Sequence, residues 1–127
     1  MILLDGLEIY KLANEIGEEV WNLINGWRAF EKDTLGKPLT RAVDSISLNI
    51  AEGYGRFHFR ENKNFCYCSG GFAYENQKLL EQSLKRNFIS QEHYDQIFTK
   101  LELFLKKINV YLRPIGKMDA QQNSTNQ

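Results

Sequence analysis

Apolar residues recur at helical spacing along most of the chain. Four segments show this pattern, at about Asp5 to Phe30, Pro38 to Gly55, Glu61 to Arg86 and Gln91 to Ile115. Spacings of three and four place side chains on one face of an α-helix. The sequence therefore predicts four amphipathic helices and no strands.

Each predicted helix has its own apolar stripe, and these stripes are the candidate core. The first comprises Leu12, Ile16, Val20, Leu23, Trp27 and Phe30. The second comprises Leu39, Val43, Ile46, Ile50 and Phe57. The third comprises Phe65, Cys68 or Ser69, Phe72, Leu79, Leu80 and Leu84. The fourth comprises Tyr94, Ile97, Leu101, Phe104 or Leu105, Ile108, Leu112 and Ile115.

Residues that favour helix ends separate the four segments. Pro38, after a break that includes Gly36, suits a first helical position. The glycines of 53–55 suit a left-handed helix end, Asn87 suits a C-cap, and Ser90 suits an N-cap. The pair Gly70–Gly71 inside the third segment predicts either a kink or a tight helix contact.

Short loops between four long helices specify an all-α, up-and-down four-helix bundle. We assign residues 1–117 to this bundle and expect the polar tail of residues 118–127 to be disordered, with Pro114 fraying the last turn. The length of 127 residues and the 43% hydrophobic content fit one domain with a real core.

Nothing in the sequence predicts a membrane or secretory protein. No apolar run approaches the roughly 20 residues of a membrane span, and no basic flank precedes the short apolar run at the N-terminus. Cys66 and Cys68 are too close in sequence to staple a fold. We therefore expect a reducing, cytoplasmic setting.

Charge is balanced overall but uneven along the chain. Sixteen basic residues balance sixteen acidic ones, so no general field attracts nucleic acid. Residues 1–36 nevertheless carry seven acidic and three basic side chains, whereas residues 37–117 carry thirteen basic and eight acidic ones. This asymmetry suits complementary faces and permits a local basic patch.

One face of the second predicted helix is polar. Its members are spaced four, three and four apart: Ser45, Asn49, Glu52 and Arg56. The favoured interpretation is a structural polar network at a helix or subunit contact, and the alternative is a ligand site. One carboxylate without a nearby His, Cys or second acid is a poor catalytic set, so we expect no enzyme.

This segment carries a family resemblance. Asn49-Ile-Ala-Glu-Gly-x-Gly-Arg56, preceded by Arg41-Ala-x-x-Ser45-Ile46, resembles the signature of the 23S ribosomal RNA intervening-sequence proteins. Gly71-x-Ala-Tyr-Glu75-Asn-Gln77 is similar to a second, weaker family region, although Phe72 stands where the family usually has Ser. The resemblance covers about Leu7 to Leu112.

The resemblance implies a left-handed up-and-down bundle that assembles as a homopentameric ring, with no established enzymatic activity. A related bundle is the accessory variability protein of diversity-generating retroelements, which binds nucleic acid and a reverse transcriptase. The resemblance thus adds RNA or DNA, or a partner protein, as expected partners.

Basic and aromatic residues alternate after the second helix, at Arg56-Phe57-His58-Phe59-Arg60. In an up-and-down bundle this linker lies at the same end as the basic residues of the fourth helix. The candidate nucleic-acid contacts are Arg56, Arg60, Lys63, Lys106, Lys107 and Arg113. Arginines contact phosphates and rings stack on unpaired bases. For this linker the favoured interpretation is nevertheless that Phe57 and Phe59 plug the bundle end while the arginines are solvated, because buried aromatic residues are more common.

No metal or cofactor is expected. The spacing Cys66-x-Cys68 lacks the usual two-residue gap of zinc sites, and on a helix the two thiols point about 200° apart. Aromatic residues exceed what one narrow core hides, which favours a subunit interface at Trp21, Trp27, Tyr54, Tyr67 and Tyr74.

From the sequence we expect a non-enzymatic oligomeric bundle that binds nucleic acid or acts as a scaffold. The alternative is a protein adaptor ring that touches no nucleic acid.

Overall fold

Four long α-helices account for most of the residues that the computed structural model describes, which are 3–56 and 58–125. They are α1 (Glu8–Asn25), α2 (Lys37–Tyr54), α3 (Phe59–Lys85) and α4 (Gln91–Thr125). Helices α1 and α3 each pack against both α2 and α4. The predicted all-α architecture is confirmed for this part of the chain, which contains no strand.

The core follows the predicted stripes on α2 and α4, whereas on α1 only Ile16 and Val20 of the predicted stripe are fully buried. Buried residues of α1 are Ile9, Ala13, Ile16, Val20 and Ile24. The predicted members Leu12 and Leu23 are half-buried at the core edge, and Phe30 is 70% exposed. The buried face of α1 is therefore rotated by part of a turn from the predicted stripe. The last two predicted members, Trp27 and Phe30, lie beyond the end of the helix.

The predicted first helix to Phe30 is wrong, since α1 ends at Asn25 and Gly26 caps it. A helical turn, Ala29–Glu31, and a π-helical turn, Lys32–Gly36, then lead directly into α2. Glycine is a poor helix former, which explains the early end. The predicted break before Pro38 is thus a π-helical turn rather than an open loop.

The other helix ends test the capping predictions. Asn87 has φ 61°, and the amide of Phe88 donates to the Ser83 carbonyl at 2.8 Å, as in a Schellman motif. The Ser90 hydroxyl accepts a hydrogen bond from the His93 amide at 3.1 Å, so this N-cap is confirmed. The left-handed end at 53–55 is wrong, because Gly55 has φ −76°.

Helix α4 continues ten residues beyond Ile115, where the sequence predicted its end. Its backbone is helical through Pro114 and up to Thr125. The division into a bundle and a separate tail stays a prediction. In the described part of the chain, no helix is both long and apolar enough to cross a bilayer.

Candidate functional site

The polar face of α2, which extends to Arg56 just after the helix, makes its hydrogen bonds with residues four positions away in sequence. The Ser45 hydroxyl donates to the Arg41 carbonyl at 2.8 Å, and the Asn49 amide donates to the Ser45 carbonyl at 2.7 Å. The Arg56 guanidinium pairs with Glu52 at 3.1 Å. These local contacts occupy the polar groups without joining them into a catalytic arrangement.

Arg56 also contacts α3. Its guanidinium lies over the Phe65 ring, 4.9 Å from the ring centroid. An exposed cation–π contact of this kind contributes about 0.5–1 kcal/mol. The polar face therefore ends where α2 meets α3.

Next to this polar face, α2 and α3 make a close contact. We call it the α2–α3 seam and define it by Ile46, Gly53, Ser69 and Asn76. A Cβ at Gly53 would stand 2.6 Å from Asn62 Oδ1 and 3.0 Å from Phe65 Cβ. Only glycine permits this approach without movement of α3. The motif glycine is therefore explained by packing.

Buried polar side chains of α3 bind the backbone of α2 in this seam. The Ser69 hydroxyl donates to the Ile46 carbonyl at 2.7 Å, and the Asn76 amide donates to the Leu39 carbonyl at 3.1 Å. Ser69 and Asn76 are both fully buried. Sequence reasoning missed Asn76, although a polar residue two turns after Ser69 on the same helix face was an available signal.

The six predicted nucleic-acid contacts lie toward one end of the bundle. The Asn62 amide approaches the Tyr111 hydroxyl at 3.5 Å, so the first turns of α3 stand beside the α4 segment that carries the basic residues. Arg56, Arg60, Lys106 and Arg113 are exposed, while Lys63 and Lys107 are half-buried. We call this set the basic end.

Acidic residues reduce the charge of the basic end. Lys107 binds Glu8 of α1 at 2.7 Å, and this contact lowers the pKa of the Glu8 carboxyl. Glu52 partners Arg56. Phe59 is 37% exposed, whereas Phe57, which was predicted to plug this end, lies outside the described residues.

The two cysteines have different environments. Cys66 is buried, and burial raises the pKa of its thiol to about 11, whereas Cys68 is exposed. Within residues 3–56 and 58–125, no three His, Cys, Asp or Glu side chains stand close enough together to hold a metal ion.

The aromatic residues predicted at an interface divide into two groups. Trp27 and Tyr54 pack against the core, whereas Trp21, Tyr67 and Tyr74 are 54%, 59% and 56% exposed. Gly71 lies between the two tyrosines on α3, and a Cβ there would meet no atom within 4 Å. The nearest atom to a Cβ at Gly70 is a Leu105 methyl at 4.0 Å. Neither glycine is therefore explained by a tight contact within the chain.

The structure also shows a pocket that sequence reasoning did not identify, between α1 and α2. Trp21 and Arg41 line it from the two helices, and Lys32 lines it from the π-helical turn. The exposed Trp21 was the available sequence signal, but the turn that completes the pocket was predicted as a break.

Comparisons with known proteins agree on the type of protein. The model of the 23S rRNA-intervening sequence protein family matches residues 5–110. A crystal structure of a protein of unknown function from the S23 ribosomal protein family of Bacteroides thetaiotaomicron matches with a TM-score of 0.75 and 19% identity, covering 83% of this chain and 98% of that one. That likeness shows a shared fold. None of the curated proteins matches significantly.

Proposed function

Since the chain belongs to the 23S rRNA-intervening sequence protein family, we propose that it is a non-enzymatic, self-assembling scaffold that binds structured RNA or DNA through its basic end. The observation that carries this proposal is the grouping at one end of five basic residues from α3 and α4 with Arg56, which lies just after α2. The family name points to the same class of partner.

One copy offers only a weak patch, because Glu8 and Glu52 offset the charges of Lys107 and Arg56. Several copies on one ring would multiply that patch through avidity. The proposal therefore joins nucleic-acid binding to self-assembly as a homopentameric ring. A cytoplasmic setting belongs to it as well, and the free thiols of Cys66 and Cys68 support it.

The stripe of Tyr67, Gly71 and Tyr74 supports self-assembly. An exposed glycine inside a helix costs up to about 1 kcal/mol against alanine, and nothing in the protomer compensates for it. A helix from a second copy would pack closely against such a position, with the tyrosines on either side. A ring also needs a second, different surface on each copy.

Fluorescence anisotropy tests the binding, with the purified protein titrated into labelled structured RNA and duplex DNA at low and near-physiological salt. We expect affinity to fall steeply with salt. The triple variant Arg60→Gln, Lys106→Gln, Arg113→Gln should bind more weakly and lower the salt slope by about two to three. Its matched control is Lys11→Gln, Lys85→Gln, Arg86→Gln, which removes the same charge elsewhere.

Equal losses in the two triple variants would contradict a specific role of the basic end. Absence of binding to either polymer at low salt would contradict the proposal as a whole. It would favour the second candidate, a protein adaptor, for which the exposed Tyr67 and Tyr74 are the supporting observation.

Native mass spectrometry tests the assembly. A pentamer has five times the 14.8 kDa mass of one chain. We expect Gly71→Arg to yield monomers with unchanged helicity, because the protomer has space for a side chain there. The control is Arg56→Gln, which lies outside the stripe. A monomeric wild-type protein would contradict the ring.

A further inference from the structure

The pocket between α1 and α2 has the features of a ligand site. It is an open cleft of about 450 Å³, within the usual volume range for small-molecule sites. Trp21 and the buried Ile24 provide apolar surface from α1. Trp21 is 54% exposed, although Ile24, which lines the same pocket, is buried in the core.

The π-helical turn completes this pocket. Its first and last residues, Lys32 and Gly36, both line the space. A Cβ at Gly36 would stand 3.0 Å from an Ile24 methyl, so the turn lies directly against the apolar floor. Single π-helical turns occur frequently at functional sites.

Three cations surround the apolar floor: Lys32, Lys37 and Arg41. Lys37 pairs with Asp33 at 3.0 Å. Among the described residues, the side chains of Lys32 and Arg41 have no ion-pair partner. The pocket thus combines an apolar surface with two cations, Lys32 and Arg41, that lack an ion-pair partner among the described residues.

From this combination we propose that the pocket binds a small amphipathic monocarboxylate, whose apolar body contacts Trp21 and Ile24 while its carboxylate pairs with Lys32 and Arg41. Arginine and carboxylate form paired, charge-assisted hydrogen bonds that a neutral head group cannot replace. Burial of the apolar body against the indole supplies the rest of the affinity.

NMR titration of the full-length, ¹⁵N-labelled protein tests the proposal with decanoate below its micelle-forming concentration. The chain has two tryptophans, so the indole region holds an internal control. Trp27 packs edge-on against Phe88, with ring centroids 5.6 Å apart, and does not line the pocket. We expect the Trp21 indole signal to shift with saturation while that of Trp27 stays in place.

Head-group charge is the decisive variable. Decanol and decyltrimethylammonium have the same apolar body, and we expect each to bind at least tenfold more weakly than decanoate. Lys32→Gln with Arg41→Gln should lower decanoate affinity at least tenfold and leave decanol affinity unchanged. The matched control, Lys11→Gln with Arg86→Gln, should retain wild-type affinity.

Equal affinity for decanoate and decanol would overturn the proposal, as would equal shifts of both indoles. A Trp21 signal that depends on protein concentration but not on decanoate would show that a second copy covers the pocket, which also overturns it. None of these outcomes depends on the basic end or on nucleic acid, so this proposal stands or falls separately from the proposed function.

Discussion

Two helix contacts of the bundle are built in different ways. In the α2–α3 seam, the fully buried Ser69 and Asn76 bind α2 carbonyls, and Gly53 lets the helices approach closely. Between α1 and α4, the polar contacts are ion pairs at the surface. Lys100 binds Glu15 and Glu19, and Lys107 binds Glu8. We call these pairs the α1–α4 seam.

The difference concerns what water does to each contact. Hydrogen bonds in the α2–α3 seam are insulated, and a partner lost there leaves a buried polar group unsatisfied. Ion pairs in the α1–α4 seam are screened by solvent and salt. The α2–α3 seam therefore specifies one register, whereas the α1–α4 seam adds a modest attraction between elements that apolar residues already hold together.

The largest effect should follow from Asn76→Asp. The new carboxylate would be fully buried and would face the Leu39 carbonyl, which cannot donate a hydrogen bond. An unpaired buried charge costs about 3–5 kcal/mol. Urea unfolding at pH 7 should show this loss.

The pH dependence of this variant provides the control. Burial raises the carboxyl pKa in the folded state, so the loss should grow as pH rises from the ordinary Asp value through the folded-state value. At pH 5 the loss should therefore be smaller than at pH 7. Asn76→Leu removes the amide without adding a charge and should show no such pH dependence. Equal losses for Asn76→Asp at both pH values would contradict the buried environment.

Thiol reactivity reports how closed the core is around α3. Burial raises the pKa of Cys66 from 9.0 to about 11. Near pH 8, the thiolate fraction of Cys66 is therefore about 100-fold lower than that of a thiol with a pKa of 9.0. With a chromogenic disulfide reagent we expect one fast equivalent, from the exposed Cys68, and one slower by about 100-fold or more. Cys68→Ser should abolish only the fast phase. Two equally fast phases would show that Cys66 is accessible.

Gly53→Ala tests the close approach in the α2–α3 seam. The added methyl meets Asn62 and Phe65 at 2.6–3.0 Å, and such overpacking costs about 1–3 kcal/mol. Gly17→Ala in α1 is the matched control, because it adds the same methyl in open space and lies outside the proposed self-assembly stripe. Thermal unfolding should show lower stability for Gly53→Ala and no loss of stability for Gly17→Ala. Equal stabilities would contradict the explanation given for the motif glycine.

The smallest effect should come from the α1–α4 seam. Lys100→Met removes two ion pairs, and partly exposed pairs contribute about 1 kcal/mol or less. The loss should shrink further in high salt. Lys106→Met, which removes an exposed lysine from the same helix, is the control and should be neutral. If Lys100→Met lost as much stability as Asn76→Asp, the proposed difference in strength between the α1–α4 and α2–α3 seams would be contradicted.

The pKa shifts of Glu8 and Lys100 in the α1–α4 seam predict losses of stability at opposite ends of the pH range. Lys107 lowers the pKa of Glu8, so the stabilisation from this ion pair is fully present above pH 4.5 and is lost as pH falls through the lowered pKa. Glu15 and Glu19 raise the pKa of Lys100, so its contribution is lost only as pH rises through the raised value. Hydrogen exchange of α1 should therefore accelerate in acid before that of α2. Faster exchange in α2 would contradict this order.

Periodicity and local chemistry were sufficient to predict the helices, their number and much of the core. Ile46, Ile50, Leu101 and Ile108 are buried as their spacing predicts, because a helix of regular pitch presents one face. The Ser90 cap was predictable for a similar reason, since it depends on atoms only three residues apart. The motif itself pointed to the family, which residues 5–110 confirm.

Tertiary structure alone decided the features that depend on distances between helices. The role of Gly53, the buried hydrogen bond of Asn76 and the pocket beside Trp21 each join residues from different elements. Spacing along one helix gives the direction of a side chain, but not how closely a neighbouring helix approaches it. The net charge of the basic end also depended on the tertiary structure, because Glu8, which pairs with Lys107, lies 99 residues away in sequence.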